Sequence, residues 1–169
     1  MKQAEQIVNE LATSRSLLEI QYENEVGTGL GPTMEFYTLV SKDLQRADLS
    51  LWKGESVKIT SEDVMEAEDE ADDCIDYVFA PAGLFPLPMP RNVKSSHKTK
   101  IKSKFNFVGK FIAKAVLDNR MVDLPFSLPF YQWLLKEESN LTSQDLRNID
   151  PTIASTVSQL EGKNFKDLQ

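Results

Sequence analysis

The chain has 169 residues, of which 41% are apolar, which suffices for one hydrophobic core but is short for two. Its net charge of −7 argues against nucleic-acid binding as a general property. A single cysteine, Cys74, excludes an intrachain disulfide and is typical of a reducing compartment, so we expect a cytoplasmic or nuclear location. No apolar run reaches the length of a membrane span, and the polar N-terminus is not that of a secretory signal.

The first fifty residues alternate between helical and extended patterns. Residues 2–17 carry apolar side chains at helical spacing and predict a first helix. Apolar and polar residues then alternate from Leu18 to Tyr22, which is typical of a strand with one buried face. A glycine-rich turn follows, and Pro32 suits the first position of a second helix that continues to about Arg46. The glycines of this turn permit positive φ angles and are Gly27, Gly29 and Gly31.

The middle of the chain carries its charges in two blocks of opposite sign. Nine acidic residues lie between Glu62 and Asp76, and we expect residues of about 60–74 to form a solvated loop. A metal or basic-partner site is the alternative, but the regular Asp-x-Asp-x-Asp-Gly spacing of a calcium loop is missing. Residues 91–104 are basic and predict a polar surface loop that leads into a helix. This block contains no aromatic residue, which argues against a single-stranded nucleic-acid site.

Between these blocks the pattern is extended. Alternation from Ile75 to Phe79 predicts a short strand that ends at Pro81. Residues 83–90 contain three prolines and cannot form a helix. An extended proline-rich ligand for another domain is one interpretation of this stretch. The other is an irregular strand with three buried anchors, Leu84, Phe85 and Leu87.

The C-terminal half is predicted to be helical. Residues 105–121 show the strongest helical pattern, and Gly109 within it suggests the close approach of another element. A link leads to Ser127, a candidate N-cap of the next helix. Residues 142–145 resemble a capping box, and a last helix is expected from Asp150 onwards, with Gly162 as its stop. The chain is therefore mainly α with a few short β-strands (α+β), and its expected core includes Phe107, Val108, Phe111 and Phe130.

No catalytic constellation is visible in the residues themselves. Acidic neighbours of Cys74 disfavour the thiolate that a nucleophile needs. His97 is the only histidine and has no acidic or cysteine neighbour. The glycine turn lacks both the third glycine of a dinucleotide fingerprint and the Gly-Lys-Ser/Thr of a phosphate loop. We expect no metal ion and no cofactor, although a pair of carboxylates acting together stays an open alternative.

Four stretches in order resemble one family. Residues 18–37 resemble the opening of the HECT domain of ubiquitin ligases, and most of all its ubiquitin-fusion-degradation or thyroid-hormone-receptor-interactor class. Within them, residues 30–37 keep the second glycine, the glutamate and the aromatic pair of the family's Gly-Gly-x-x-x-Glu-Phe/Trp-Phe motif. Residues 83–86 resemble the class's Gly-Leu-Phe-x-x-Pro segment. Residues 105–115 resemble the family's Phe-x-Phe-x-Gly-Arg/Lys helix, and residues 122–131 resemble its Leu-Asp-x-x-Phe-x-x-x-Phe-Tyr link.

The resemblance implies that residues 1–169 are the N-terminal part of a HECT N-lobe. We expect this chain to be truncated after residue 162, before the E2-docking subdomain and the C-terminal lobe. The family accepts ubiquitin from an E2 as a cysteine thioester and transfers it to substrate lysines. The implied function is therefore that of a scaffold piece of a HECT-type E3 ubiquitin-protein ligase, inactive alone. The family's catalytic cysteine lies in the C-terminal lobe, and Cys74 matches no catalytic motif.

The resemblance also implies partners. These are an E2 conjugating enzyme, ubiquitin and protein substrates, which bind through the complete domain. We expect binding neither to nucleic acid nor to a membrane. Some family members bind ubiquitin on the N-lobe through a tyrosine near the position of Tyr77, which makes Tyr77 the candidate ubiquitin contact here. A half-buried strand tyrosine with no binding role is the alternative for this residue. For the whole chain, the alternative is a stand-alone, non-catalytic protein-binding module.

Overall fold

The computed structural model describes residues 2–11, 14–23, 29–58 and 75–161. Gly27, Cys74, Gly162 and the acidic loop at about 60–74 lie outside these ranges. The described residues contain five α-helices and four short strands, which confirms the mainly helical α+β class. In chain order these elements are α1 Lys2–Leu11, α2 Leu30–Leu44, β1 Trp52–Lys53, β2 Glu55–Lys58, β3 Asp76–Phe79, β4 Phe85–Pro86, α3 Ser95–Leu117, α4 Leu128–Leu134 and α5 Pro151–Glu161.

Helices α2 and α3 supply the largest share of the hydrophobic core. Their rings meet at Tyr37 and Phe111, whose centroids lie 5.3 Å apart and whose side chains are almost fully buried. Helix α1 packs against α3 and buries Ala4 and Val8. The expected core residues on α3 and α4 are confirmed, since all of them are buried: Phe107, Val108, Phe111 and Phe130.

Trp52 connects the small strands to the helices. Its indole N–H donates to the carbonyl oxygen of Leu44 at the end of α2, at 2.8 Å. Its ring meets those of Phe105, Phe126 and Phe130 at centroid separations of 5.4, 5.5 and 6.1 Å. The contacts with Phe105 and Phe130 are edge-to-face and that with Phe126 is tilted, and such ring pairs add to the free energy gained by burying the rings. One side chain thus joins β1, α2, α3 and α4.

The strands form two separate antiparallel pairs, β1 with β4 and β2 with β3. Just before β4, Leu84 pairs with the link that precedes α4: its N–H donates to Pro125, and its carbonyl accepts from Ser127. Gly83 permits this approach, because its φ is +94° and an added Cβ would lie 2.6 Å from the Ser127 nitrogen. The strand predicted at Ile75–Phe79 is confirmed as β3, and Leu84 is buried as expected. Leu87 is not buried, with 42% of its surface exposed.

The strand predicted at residues 18–22 is wrong, although its alternation of burial is right. Leu18 and Ile20 are buried, yet the segment pairs with no strand among the described residues. Its backbone is satisfied by side chains instead. The N–H of Leu18 donates to Asp118 Oδ2 at 3.2 Å, and that of Ile20 donates to Thr33 Oγ1 at 3.0 Å. The segment therefore lies extended across the ends of two helices.

Helix boundaries differ from the prediction at four places, one of which is the end of α3, at Leu117 rather than residue 121. Helix α1 ends at Leu11 rather than near residue 17, and α2 begins at Leu30, which places Pro32 third in the helix. Pro32 is still tolerated there, because the N–H groups of the first turn have no intrahelical acceptor. Helix α3 begins ten residues earlier than predicted, at Ser95, and includes residues 95–104 of the basic block. His97 therefore lies exposed in the first turn of α3 and not in the predicted loop.

Two expectations for α3 itself are wrong. Within the described ranges, no atom from outside the helix's own nearby backbone lies within 4 Å of a Cβ built on Gly109, so no described element approaches this glycine closely. The apolar spacing of residues 105–121 predicts Val116 on the buried side of the helix, yet it is 73% exposed. Successive helical residues lie about 100° apart, and burial of Phe111 and Ala115 turns Val116 towards solvent.

The predicted starts of α4 and α5 are correct, whereas the capping-box stretch at residues 142–145 leads only into a short 3-10 helix, Asp145–Asn148. Ser127 is the N-cap of α4 but makes no capping bond, and its buried Oγ has no partner within the described residues. Asp145 forms half of a capping box by accepting from the Thr142 N–H at 2.7 Å. Asp150 caps α5 as expected, accepting from the N–H of Ile153 at 3.0 Å. No helix in the described part of the chain is long and apolar enough to span a bilayer.

A buried ion pair closes the core at the end of α3. Lys114 and Asp118, each 1% exposed in its side chain, lie 2.8 Å apart between Nζ and Oδ1. The ammonium also donates to the Ser16 carbonyl at 2.5 Å, and the carboxylate accepts from the Tyr37 hydroxyl at 2.9 Å and from the Leu18 N–H. The pair therefore ties α2, α3 and residues 16–18 together.

The same contacts shift the pKa values of Asp118 and of its neighbour Tyr37. Burial alone would raise the pKa of Asp118, but hydrogen bonds from Lys114, Tyr37 and Leu18 outweigh burial and lower this pKa below its usual range. Burial and the bond to Asp118 raise the pKa of Tyr37, which stays a neutral donor. Because the folded-state pKa of Asp118 is lowered, its stabilisation is present above the unfolded-state pKa and is lost as pH falls through the folded value.

Replacing Gly109 by alanine is expected to raise the free energy of unfolding by about 0.5–1 kcal/mol, because the site is open and helical. Gly83→Ala is the matched control and should lower the free energy of unfolding by more than about 1 kcal/mol. The positive φ of Gly83 is unfavourable for alanine, and its Cβ would clash with the Ser127 backbone. Urea denaturation of the three chains measures both changes. A loss of stability in Gly109→Ala would contradict the open site.

Candidate functional site

Tyr77, the predicted ubiquitin contact, lies in the middle of β3. It pairs with Val57 of β2 and forms an isolated bridge with Arg46, just after α2. Its ring is half-buried, and the ammonium of Lys42 lies 5.5 Å from the ring centroid. A cation at this distance from an aromatic ring is attracted by its π-electrons. The ring is thus held beside α2 and still has an accessible edge.

The face of the β2–β3 pair that carries Tyr77 is exposed and mostly apolar, with the charged Glu55 opposite Phe79. Residues directly opposite each other, and residues two apart along a strand, share a face of a sheet. Tyr77 therefore shares its face with Val57 and Phe79, which are 40% and 56% exposed. The opposite face carries Val78, which packs against the core. We call Val57, Tyr77 and Phe79 the Tyr77 face.

The other candidates from the sequence that lie in the described ranges do not form a reactive centre with one another. Cys74 lies outside the described residues. His97 is exposed on the first turn of α3. Gly29 begins α2 with a φ of +96°, and its carbonyl accepts from the Thr33 hydroxyl at 3.2 Å. Among the residues that the structure describes, no group of three His, Cys, Asp or Glu side chains could hold a metal ion.

A cleft of about 580 Å³ lies between the strands and the start of α5. Lys53 and Asp150 form an ion pair across it and so join β1 to the C-terminal helix. The bond from Lys53, together with the N–H of Ile153, lowers the pKa of Asp150. Because each charge has a partner, the pair is an attachment point for α5.

The buried Lys114–Asp118 pair was not predicted from the sequence. A signal was present, since a lysine and an aspartate four residues apart lie on one side of a helix, here the side of Phe111 and Ala115. Helical spacing therefore placed both charges at buried positions. Their partners Tyr37 and Leu18 are 81 and 100 residues distant from Asp118, beyond the reach of local pattern.

Comparison with known proteins gives a consistent family. The family model described as HECT-domain (ubiquitin-transferase) matches residues 38–169. E3 ubiquitin-protein ligase TRIP12 of Danio rerio is 52% identical over 161 residues, covering 95% of this chain and 8% of that protein. E3 ubiquitin-protein ligase UPL3 of Arabidopsis thaliana is 36% identical, covering 93% of the chain and 9% of that protein.

A yeast protein is also similar to this chain. Ubiquitin fusion degradation protein 4 of Saccharomyces cerevisiae is 38% identical over 128 residues, covering 76% of the chain and 8% of that protein. The chain thus spans less than a tenth of the length of each of these three relatives. The resemblance expected from the four sequence stretches is confirmed, and the chain belongs to the HECT-domain (ubiquitin-transferase) family.

Proposed function

We propose that this chain is the N-terminal part of the N-lobe of a HECT-type E3 ubiquitin-protein ligase. The complete ligase accepts ubiquitin from an E2 as a cysteine thioester and transfers it to substrate lysines. The match of the family model to residues 38–169 carries this proposal. The names of the relatives from Danio rerio and Arabidopsis thaliana, which are those of E3 ubiquitin-protein ligases, support it.

Within that ligase, these residues act as a scaffold. Thioester exchange needs a thiolate with a group that activates it. The buried charges of the described residues are committed to structure, because Lys114 and Asp118 hold α2 and α3 together. In this proposal the transfer cysteine belongs to another part of the complete polypeptide, and Cys74, whose acidic sequence neighbours disfavour a thiolate, has no catalytic role. The partners of that polypeptide are an E2, ubiquitin and protein substrates, in the cytoplasm or nucleus.

The Tyr77 face contacts ubiquitin in this proposal. Exposed apolar side chains around a half-buried aromatic ring are typical of the centre of a protein interface. Tyr77 has such neighbours in Val57 and Phe79, and its ring is held in place by Lys42. The interaction with ubiquitin would thus use side chains that are positioned before binding.

Incubation with E1, E2, ATP and ubiquitin tests the transfer chemistry. The complete polypeptide should form a ubiquitin adduct that survives a non-reducing gel and disappears with reductant, as a thioester does. The 169-residue chain should form none. Cys74→Ser in the complete polypeptide should leave the adduct at the level of the unchanged protein.

Two results would contradict this assignment. One is an adduct on the 169-residue chain that Cys74→Ser abolishes, which would make Cys74 the acceptor. The other is a complete polypeptide that binds ubiquitin but never forms the adduct, which would favour the non-catalytic binding module.

Tyr77→Ala should weaken binding of the chain to ubiquitin about tenfold, the loss of roughly 1.4 kcal/mol expected for a central aromatic contact. Titration followed by NMR of labelled ubiquitin measures the affinity. Tyr131→Ala is the matched control, because Tyr131 lies on α4 and is 45% exposed. An equal effect of the two substitutions would contradict a role for the Tyr77 face.

A further inference from the structure

A second surface lies at the other end of α2 from the Tyr77 face. Met34 lies eight residues before Lys42, about 12 Å along the helix axis. There a groove of about 440 Å³ separates the first half of α2 from the segment that follows α3. Two methionines line it and are largely exposed, Met34 by 53% and Met121 by 93%. Methionine side chains adapt readily to differently shaped apolar partners.

The backbone along this groove has unused hydrogen-bonding groups. Asn119, with a φ of +53°, turns the chain out of α3, and the Arg120 N–H still donates to the Ala115 carbonyl at 2.8 Å. The N–H groups of residues 121–123 then have no acceptor in the described ranges, and the carbonyls of residues 120–122 have no donor there. Such a segment can pair with an extended peptide, as a sheet edge does.

Arg120 supplies charge to the same groove. Its Nε is buried and has no hydrogen-bond partner among the described residues, and its guanidinium forms no ion pair there. A buried donor without an acceptor costs stability, and a guanidinium binds a carboxylate with two parallel hydrogen bonds. Asp123 also lines the groove but is exposed and makes no ion pair with Arg120. Among the described residues, the guanidinium of Arg120 therefore has no paired carboxylate in the groove.

We propose that this groove binds an extended segment of a partner protein in which a bulky apolar residue is followed by Asp or Glu. The backbone of residues 121–123 pairs with the segment, the apolar side chain lies between Met34 and Met121, and the carboxylate binds Arg120. A second copy of the chain is the alternative occupant, and the dependence of the amide signals on chain concentration distinguishes it. The inference does not depend on ubiquitin transfer.

The probe is an acetylated and amidated pentapeptide, Ser-Leu-Glu-Ser-Ser, titrated into the ¹⁵N-labelled 169-residue chain up to about 2 mM. The amide signals of residues 121–123 should shift, since they gain acceptors. Exchanging the peptide Glu for Gln should weaken binding at least about fivefold. Absence of shifts, or shifts confined to other elements, would overturn the proposal.

Variants of the chain assign the two contacts. Arg120→Gln should abolish the preference for the Glu peptide over the Gln peptide, whereas Met121→Ser should weaken both peptides. Met89→Ser, at a methionine that is 44% exposed elsewhere, should leave both affinities unchanged. A retained Glu preference in Arg120→Gln contradicts the carboxylate site.

Two further readouts keep the test decisive. If Arg120→Gln fails to fold, as judged from amide signals outside the groove, Met121→Ser decides, because that side chain is almost fully solvent-exposed. Shifts of residues 121–123 that depend on chain concentration without peptide would identify a second copy as the occupant and overturn the proposal.

Discussion

The ion pair between Lys114 and Asp118 is the interaction on which the rest of the structure depends. Two charges removed from water are stable only if each is paired and its remaining hydrogen-bonding groups are satisfied. Here the Tyr37 hydroxyl, the Leu18 N–H and the Ser16 carbonyl complete the set. Because these groups come from α2 and from the segment before it, the pair determines how both lie against α3.

That dependence explains which features the sequence could predict. Helices α2 and α3 follow from apolar spacing, and β3 from the alternation around Tyr77. The stretch from Leu18 to Tyr22 shows a strand pattern, but its backbone partners are side chains far along the chain. The proposed binding residues differ in the same respect. Tyr77 could be chosen from the family resemblance, whereas the unpaired Nε of Arg120 results from tertiary packing and could not be predicted from the sequence.

The two surfaces proposed for binding lie at opposite ends of α2. The core holds this helix through Phe36, Tyr37 and Leu44, so its ends are fixed relative to each other. Other apolar side chains stay exposed in the described part, among them Trp133 and Leu135 on and after α4. A chain with a firmly packed interior and several apolar surfaces suits a scaffold that positions other parts of a larger ligase.

The most direct test of the central claim is a double-mutant cycle on the buried pair. The free energy of unfolding is measured by urea denaturation for the unchanged chain, Lys114→Met, Asp118→Leu and the double variant. Each single substitution strands a buried charge and should cost about 3–5 kcal/mol, whereas the double variant should cost far less than their sum. Small, additive losses would contradict the account, because the two charges would then not depend on each other.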